Sequence, residues 1–254
     1  MKNRNEMKKM ITSIQNSKVK TWRKLHKRKE RMNTKTFLVE GYHLIEEAWK
    51  SDWNIHEIIV EQGSEVPEWC GNFPVVEVND VVFSHIAQTK TPQGIAAVIE
   101  MKQTTVITGN YVLLIDAIQD PGNLGTIIRT ADAAGFDAVC IGGETVDLYN
   151  DKVIRATQGS LFHIPIIQTN LPEQVARLKT EGFNIWATAL KNAKIYHQIE
   201  VDEKVAIIVG NEGAGIQTSL LQAADTIVTI PIYGQAESLN VSVAAGILMY
   251  YVKG

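Results

Sequence analysis

The chain has 254 residues, 45% of them apolar and 21% charged, with two cysteines and a formal net charge of −3. That composition is ordinary for a globular protein, and the length suits one large domain or two modest ones. It excludes a collagen-like, low-complexity or disulfide-framework protein. No apolar run approaches the length of a membrane span, and the first residues lack the apolar core of a secretory signal, so a cytoplasmic, reduced location is expected. The net charge hides an asymmetry. Residues 1–35 hold thirteen Lys or Arg against Glu6 and Glu30, and the remainder holds twelve basic and twenty-six acidic side chains. A basic arm on an acidic body suggests a polyanionic partner, and a solubilising tail is the competing reading.

In chain order, residues 17–31 space Val19, Trp22 and Leu25, with Met32 next, at helical intervals among Lys and Arg. They predict one amphipathic helix with a cationic outer face. Residues 36–40 predict a strand, and Gly41 opens a helix through Leu44, Ile45, Ala48 and Trp49. Residues 55–60, 74–78 and 94–100 predict three more strands, the last after a turn at 91–94. Residues 1–102 are thus expected to form a small α/β module. Residues 101–110 are polar and aperiodic and read as a linker. From 111 the rhythm becomes strand, loop, helix. Strands are expected at 112–116, 138–141, 164–167, 184–188, 205–209 and 226–230. Helices are expected at 124–134, 153–162, 172–181 and 238–252. Continuous apolar strands alternating with helices imply a largely parallel sheet covered on both faces, an α/β domain over 111–254.

Three polar, Gly-containing segments sit where strands end or helices begin. They are Asp120-Pro121-Gly122-Asn123-Leu124-Gly125 leading to Arg129, then Gly210-Asn211-Glu212-Gly213, then Ser238-Leu239-Asn240-Val241-Ser242. Open α/β sheets bind ligands at such places, so the three loops suggest one composite site. Asn123 reads as an N-cap for the helix at Leu124, and Glu212 could pair with Arg129 or accept from a substrate. Ser238 or Asn240 could cap the last helix. Arg155 and Ser160 are further candidates beside a strand end. None of the six histidines pairs at ligand spacing, and no metal site is expected. The Gly-x-Gly-x-x-Gly turn of dinucleotide enzymes is missing, which argues against an oxidoreductase.

On these three segments, in this order, residues 111–252 resemble the SpoU (TrmH-like) branch of the SPOUT RNA methyltransferases. Residues 37–41 and 91–94 resemble the ribosomal-protein-like RNA-binding module that many members carry. The resemblance implies transfer of a methyl group from S-adenosylmethionine to a ribose 2′-hydroxyl, a deep trefoil knot in the C-terminal domain, and a homodimer. It makes large-subunit ribosomal RNA the expected substrate, with transfer RNA, or RNA binding without catalysis, as alternatives. Carried over by position, Arg129 becomes the arginine at the target ribose, with Asn123, Glu212, Ser238 and Asn240 ordering the site. Thr188, Ala189, Leu190, Gly210, Asn211, Gly213, Ile230 and Leu239 become the cofactor's surroundings. The RNA side is assigned to Lys18, Lys20, Arg23, Lys24, Lys27, Arg28 and Arg155. A guanidinium stays protonated, so Arg129 is expected to act as an orienting cation rather than a base.

Overall fold

The computed structural model describes residues 10–254. The part of the basic arm before Met10 lies outside them. The chain divides into two compact units, residues 1–102 with 149–151, and residues 103–148 with 152–254.

In the first unit, α1 (Ser17–Lys24) and α2 (Arg28–Thr34) precede β1 (Thr36–Glu40), α3 (Tyr42–Lys50), β2 (Ile55–Glu61), β3 (Val75–Val78), α4 (Asp80–Ile86) and β4 (Ile95–Glu100). The sheet order is β1-β4-β2-β3; β4 runs antiparallel to both neighbours, and β2 pairs parallel with β3. Val19, Trp22 and Leu25 are buried on Leu38, Ile59, Val82 and Phe83, so the expected apolar face exists. The single helix does not. The first helix ends at Lys24, and Lys27 is extended, with φ −96° and ψ 128°. This break lets Arg31 fold back, buried, and donate from Nη1 to the Leu25 carbonyl at 2.7 Å. Met32 points outward, 44% exposed, rather than continuing the stripe. Lys20, Arg23, Lys24, Lys27 and Arg28 are all exposed.

The second unit contains β5 (Tyr111–Ile115), α5 (Pro121–Ala133), β6 (Ala138–Ile141), α6 (Asp151–Thr157, its first residue grouping with the first unit), β7 (Ile166–Gln168) and α7 (Leu171–Thr180). It continues with β8 (Asn184–Thr188), β9 (Lys194–Ile195), β10 (Val205–Val209), α8 (Thr218–Ala223), β11 (Thr226–Thr229) and α9 (Val241–Lys253). Seven strands, all parallel, pair in the order β7-β6-β5-β10-β8-β11-β9. Their Val, Ile and Leu runs are buried on both sides, as an all-parallel sheet requires. One core joins Val112, Leu114, Ile185, Ala206 and Ile208 to Val175 and Leu178 of α7 and Leu220 of α8. Opposite elements include α5, which packs on α9, and α9, which packs on β10.

Three helix ends differ from the spacing, the first being α5, which begins at Pro121 rather than Leu124. The expected helix 153–162 stops at Thr157, because Gln158 and Gly159 both take positive φ, 51° and 101°, before a short 3-10 turn at Ser160–Phe162. The last helix starts at Val241 rather than Ser238.

Candidate active site

The first loop leaves β5 through Asp116, whose carboxylate is 1% exposed. It accepts from the backbone N–H of Gln217 at 2.7 Å and from Gln217 Nε2 at 2.8 Å. Ala117 follows in the left-handed region, φ 56°, a conformation disfavoured for a residue with a Cβ. Its carbonyl accepts from Asn211 Nδ2 at 2.8 Å. A buried carboxylate and an Asn amide from the β10 loop thus hold the turn in an uncommon shape.

Asp120, not Asn123, caps α5. Its side chain accepts from the Asn123 backbone N–H at 2.8 Å, and Pro121 occupies the first turn, where a missing N–H costs nothing. The Asn123 side chain is therefore released from capping. Its Nδ2 donates to Glu212 Oε1 at 2.9 Å, and its Oδ1 accepts from Asn240 Nδ2 at 2.9 Å. Asn240 is the N-cap of α9; its Oδ1 accepts from the Ser242 N–H at 2.8 Å and from the Ser242 hydroxyl at 2.5 Å.

Glu212 also accepts from the backbone N–H groups of Gln119 and Asp120, both at 3.4 Å. Burial alone would raise its carboxyl. The Asn123 amide, its own N–H and those of Gln119 and Asp120 outweigh that and hold it below the usual carboxylate range. The expected Glu212–Arg129 pair is not made. Arg129 lies in the third turn of α5, exposed, with no ion-pair or hydrogen-bond partner among the described residues.

The second loop is pinched. Asn211 and Gly215 exchange two backbone hydrogen bonds, each 3.0 Å. Asn211 Oδ1 accepts from the N–H groups of Gly213 and Ala214, both at 2.9 Å. A Cβ on Gly210 would sit 2.5 Å from the Gly215 carbonyl carbon and 2.6 Å from its oxygen, so only glycine allows this closure.

The remaining assigned positions divide. Thr188 ends β8 and Ala189 and Leu190 follow it, Gly210 follows β10, and Ile230 follows β11, all on the carboxyl edge of the sheet. Leu190 is 67% exposed, and Leu239 is exposed on the loop before Asn240. Ser238 is exposed and makes no side-chain hydrogen bond among the described residues. Arg155 is half-buried on α6, and Ser160 is buried. Of the basic-arm residues, Lys18 is engaged: Nζ lies 2.6 Å from Glu57 Oε2, beside the bond from Trp22 Nε1 to Glu57 Oε1. Asp116, Gln119 and Gln217 were not legible in the sequence, and Ser242 lay in the third segment without a role. Asp-Pro at a helix start is a signal that could have revealed the Asp120 cap; Gln217 carries no such signal.

An exposed apolar rim, strand-end backbone and a polar chain linking three loops can hold a nucleoside and order a second reactant beside it. No group of three His, Cys, Asp or Glu able to hold a metal occurs among the described residues. A parallel α/β domain with such a site, joined to a small α/β unit with a basic helical face, has the makeup of a nucleic-acid-modifying enzyme. The family model "SpoU rRNA Methylase family" matches residues 110–250, and the "MRM3-like substrate binding domain" matches residues 16–97. The chain is 51% identical to the 23S rRNA (guanosine(2553)-2′-O)-methyltransferase RlmP of Bacillus subtilis, over 97% of this chain and 100% of that one. It is 32% identical to an uncharacterized tRNA/rRNA methyltransferase of Synechocystis, over 94% and 92% of the two chains. The crystal structure of an AdoMet-bound rRNA methyltransferase from Sinorhizobium meliloti superposes with a TM-score of 0.88 at 33% identity, covering 96% and 97%. The chain belongs to the SpoU rRNA methylase family.

Proposed function

We propose that this protein transfers a methyl group from S-adenosylmethionine to a ribose 2′-hydroxyl of large-subunit ribosomal RNA, in the cytoplasm, at the guanosine corresponding to the target named for its Bacillus relative. The observation that carries this reading is the continuous chain Glu212–Asn123–Asn240, which joins three loops far apart in sequence into one ordered surface.

The residues fit the cofactor. Leu190, Ile230 and Leu239 offer apolar surface for an adenine ring, and the backbone at the ends of β8, β10 and β11 offers hydrogen-bonding groups at its edge. Bound there, the cofactor supplies a methyl group already activated on sulfonium. The protein's task is then to align an oxygen and stabilise the charge that develops on it. Arg129 does the second: a permanent, unpaired cation that holds the RNA phosphate and the emerging alkoxide. Arg129 stands six residues after Asn123 on the same helix, α5. Asn123, Glu212, Asn240 and Ser238 order the ribose side.

The finer architecture follows the same reading. Strand β10 lies between β5 and β8, and β9 lies beyond β11, so residues 189–204 travel to the sheet edge and back to its middle. The Tyr251 hydroxyl of α9 donates to the Ile199 carbonyl within that excursion. This threading supports a trefoil knot. On α9, Val243 and Tyr250 are 51% and 57% exposed on one face, with Ile247 between them, a stripe suited to a second copy of the chain. The first unit grips RNA through Lys20, Arg23, Lys24, Lys27 and Arg28, with Lys18 in a lesser part, and Arg155 of the second unit serves the RNA side as well.

The test uses labelled S-adenosylmethionine and unmodified ribosomal and transfer RNA, comparing wild type with Arg129→Ala. Label on one 2′-oxygen of large-subunit RNA, lost at least 100-fold in the variant, is expected, a loss of about 3 kcal/mol of transition-state stabilisation. Label confined to transfer RNA would refute the substrate, and no label despite cofactor binding would refute catalysis.

A further inference from the structure

The hydrogen bonds through the three loops have a forced direction. A backbone N–H can only donate, so the Asn240 atom that meets the Ser242 N–H at 2.8 Å is the amide oxygen. The Ser242 hydroxyl donates to the same atom at 2.5 Å. An amide oxygen has two lone pairs, and both are now filled by one residue. Asn240 can therefore offer only its N–H₂ to the site, and it does so to Asn123 Oδ1 at 2.9 Å. With that oxygen occupied, Asn123 turns its own N–H₂ to Glu212 Oε1 at 2.9 Å. The last acceptor is a carboxylate, which cannot reverse the sequence while ionised.

An Asn side chain has nearly the same shape when turned over, so its neighbours must set its orientation. We infer that Ser242 is the positioning residue that sets the direction of this chain, making Asn240, and through it Asn123, donors toward Glu212. The backbone bond alone is common to any N-cap Asn. The hydroxyl adds the second donor, which leaves the Asn240 oxygen no capacity for water or an RNA hydroxyl. The kinetic part of the test rests on the methyl-transfer reading above; the spectroscopic part does not.

Full-length wild type, Ser242→Ala and Ser242→Thr are compared. Hydrogen exchange of the side-chain amides of Asn123 and Asn240 is followed by NMR on nitrogen-15-labelled protein. Exchange is expected to be fast in Ser242→Ala and slow in wild type and Ser242→Thr, which keeps the hydroxyl. In the RNA assay, Ser242→Ala is expected to lose roughly tenfold in kcat, the scale of one lost hydrogen bond, with KM for RNA unchanged. Unchanged amide exchange in Ser242→Ala, or a Thr variant as impaired as Ala, overturns the inference. A wild-type enzyme that transfers no methyl overturns the functional reading alone, and the amide exchange still decides the role of Ser242.

Discussion

Asn123 makes two opposite contacts, accepting from Asn240 and donating to Glu212, and an ionised Asp of the same shape can make only the first. Asn123→Asp would set a second carboxylate against Glu212, and two like charges at that distance force one to take a proton. Activity in this variant is expected to fall about 100-fold or more, the scale of losing a site donor, with the RNA affinity measured by filter binding held. An Asp variant of near wild-type rate would mean that an amide donor to Glu212 is not needed for turnover. Gly210→Ala is the steric counterpart. Its Cβ meets the Gly215 carbonyl, which is backbone and cannot rotate away. A loss of about 1–3 kcal/mol in thermal or denaturant unfolding is expected, together with weakened S-adenosylmethionine binding by calorimetry. Full stability in Gly210→Ala would show that the pinch can open. The sequence made Asn123 visible but gave it the wrong task, because Asn and Asp are equally good caps and only Pro121 tells which residue comes first.

At the scale of elements, strand runs such as 205–209 and 184–188 were legible because a strand buried on both faces must be apolar throughout. Helices α4 and α8, seven and six residues long, were not, since neither spans enough turns to show a period. Nor was β9, two residues whose pairing with β11 is decided by the rest of the sheet. The break between α1 and α2 was hidden for a different reason. Val19, Trp22 and Leu25 keep their spacing up to it, and the turn is fixed by Arg31 reaching back from six residues on. His26 sits in that turn and donates from Nε2 to the Ile86 carbonyl at 2.8 Å, while Nδ1 faces Arg23 Nη1. Burial, with the Arg23 charge next, pushes its pKa below the usual histidine value. The unfolded chain then binds the proton first as pH falls, so this contribution is complete above about pH 6.5 and is lost below it. The melting temperature is expected to drop between pH 7.5 and 5, with a shallower slope in His26→Gln by circular dichroism. Parallel slopes for the two proteins would remove His26 from the account.

For the whole molecule, charge is the property that composition conceals, with a basic arm and an acidic remainder summing to −3. If the exposed face of α1 and α2 neutralises RNA phosphates, replacing Lys20, Lys24 and Lys27 by Gln should lower the slope of log affinity against log salt by roughly two to three. Cofactor binding should be untouched. An unchanged slope would move the RNA contact elsewhere. The strand order has a further outcome in time. Asn123 and Asn240 are 117 positions apart, and Glu212 stands between them in sequence. A nascent chain complete through β11 owns every strand of the sheet and still lacks Asn240, the last member of the hydrogen-bonded chain. If Asn240 orders the reacting ribose as proposed, chemical competence arrives only after the last strand, as a late event in the synthesis of each molecule. On that reading, a chain that stalls short of α9 is expected to transfer no methyl group.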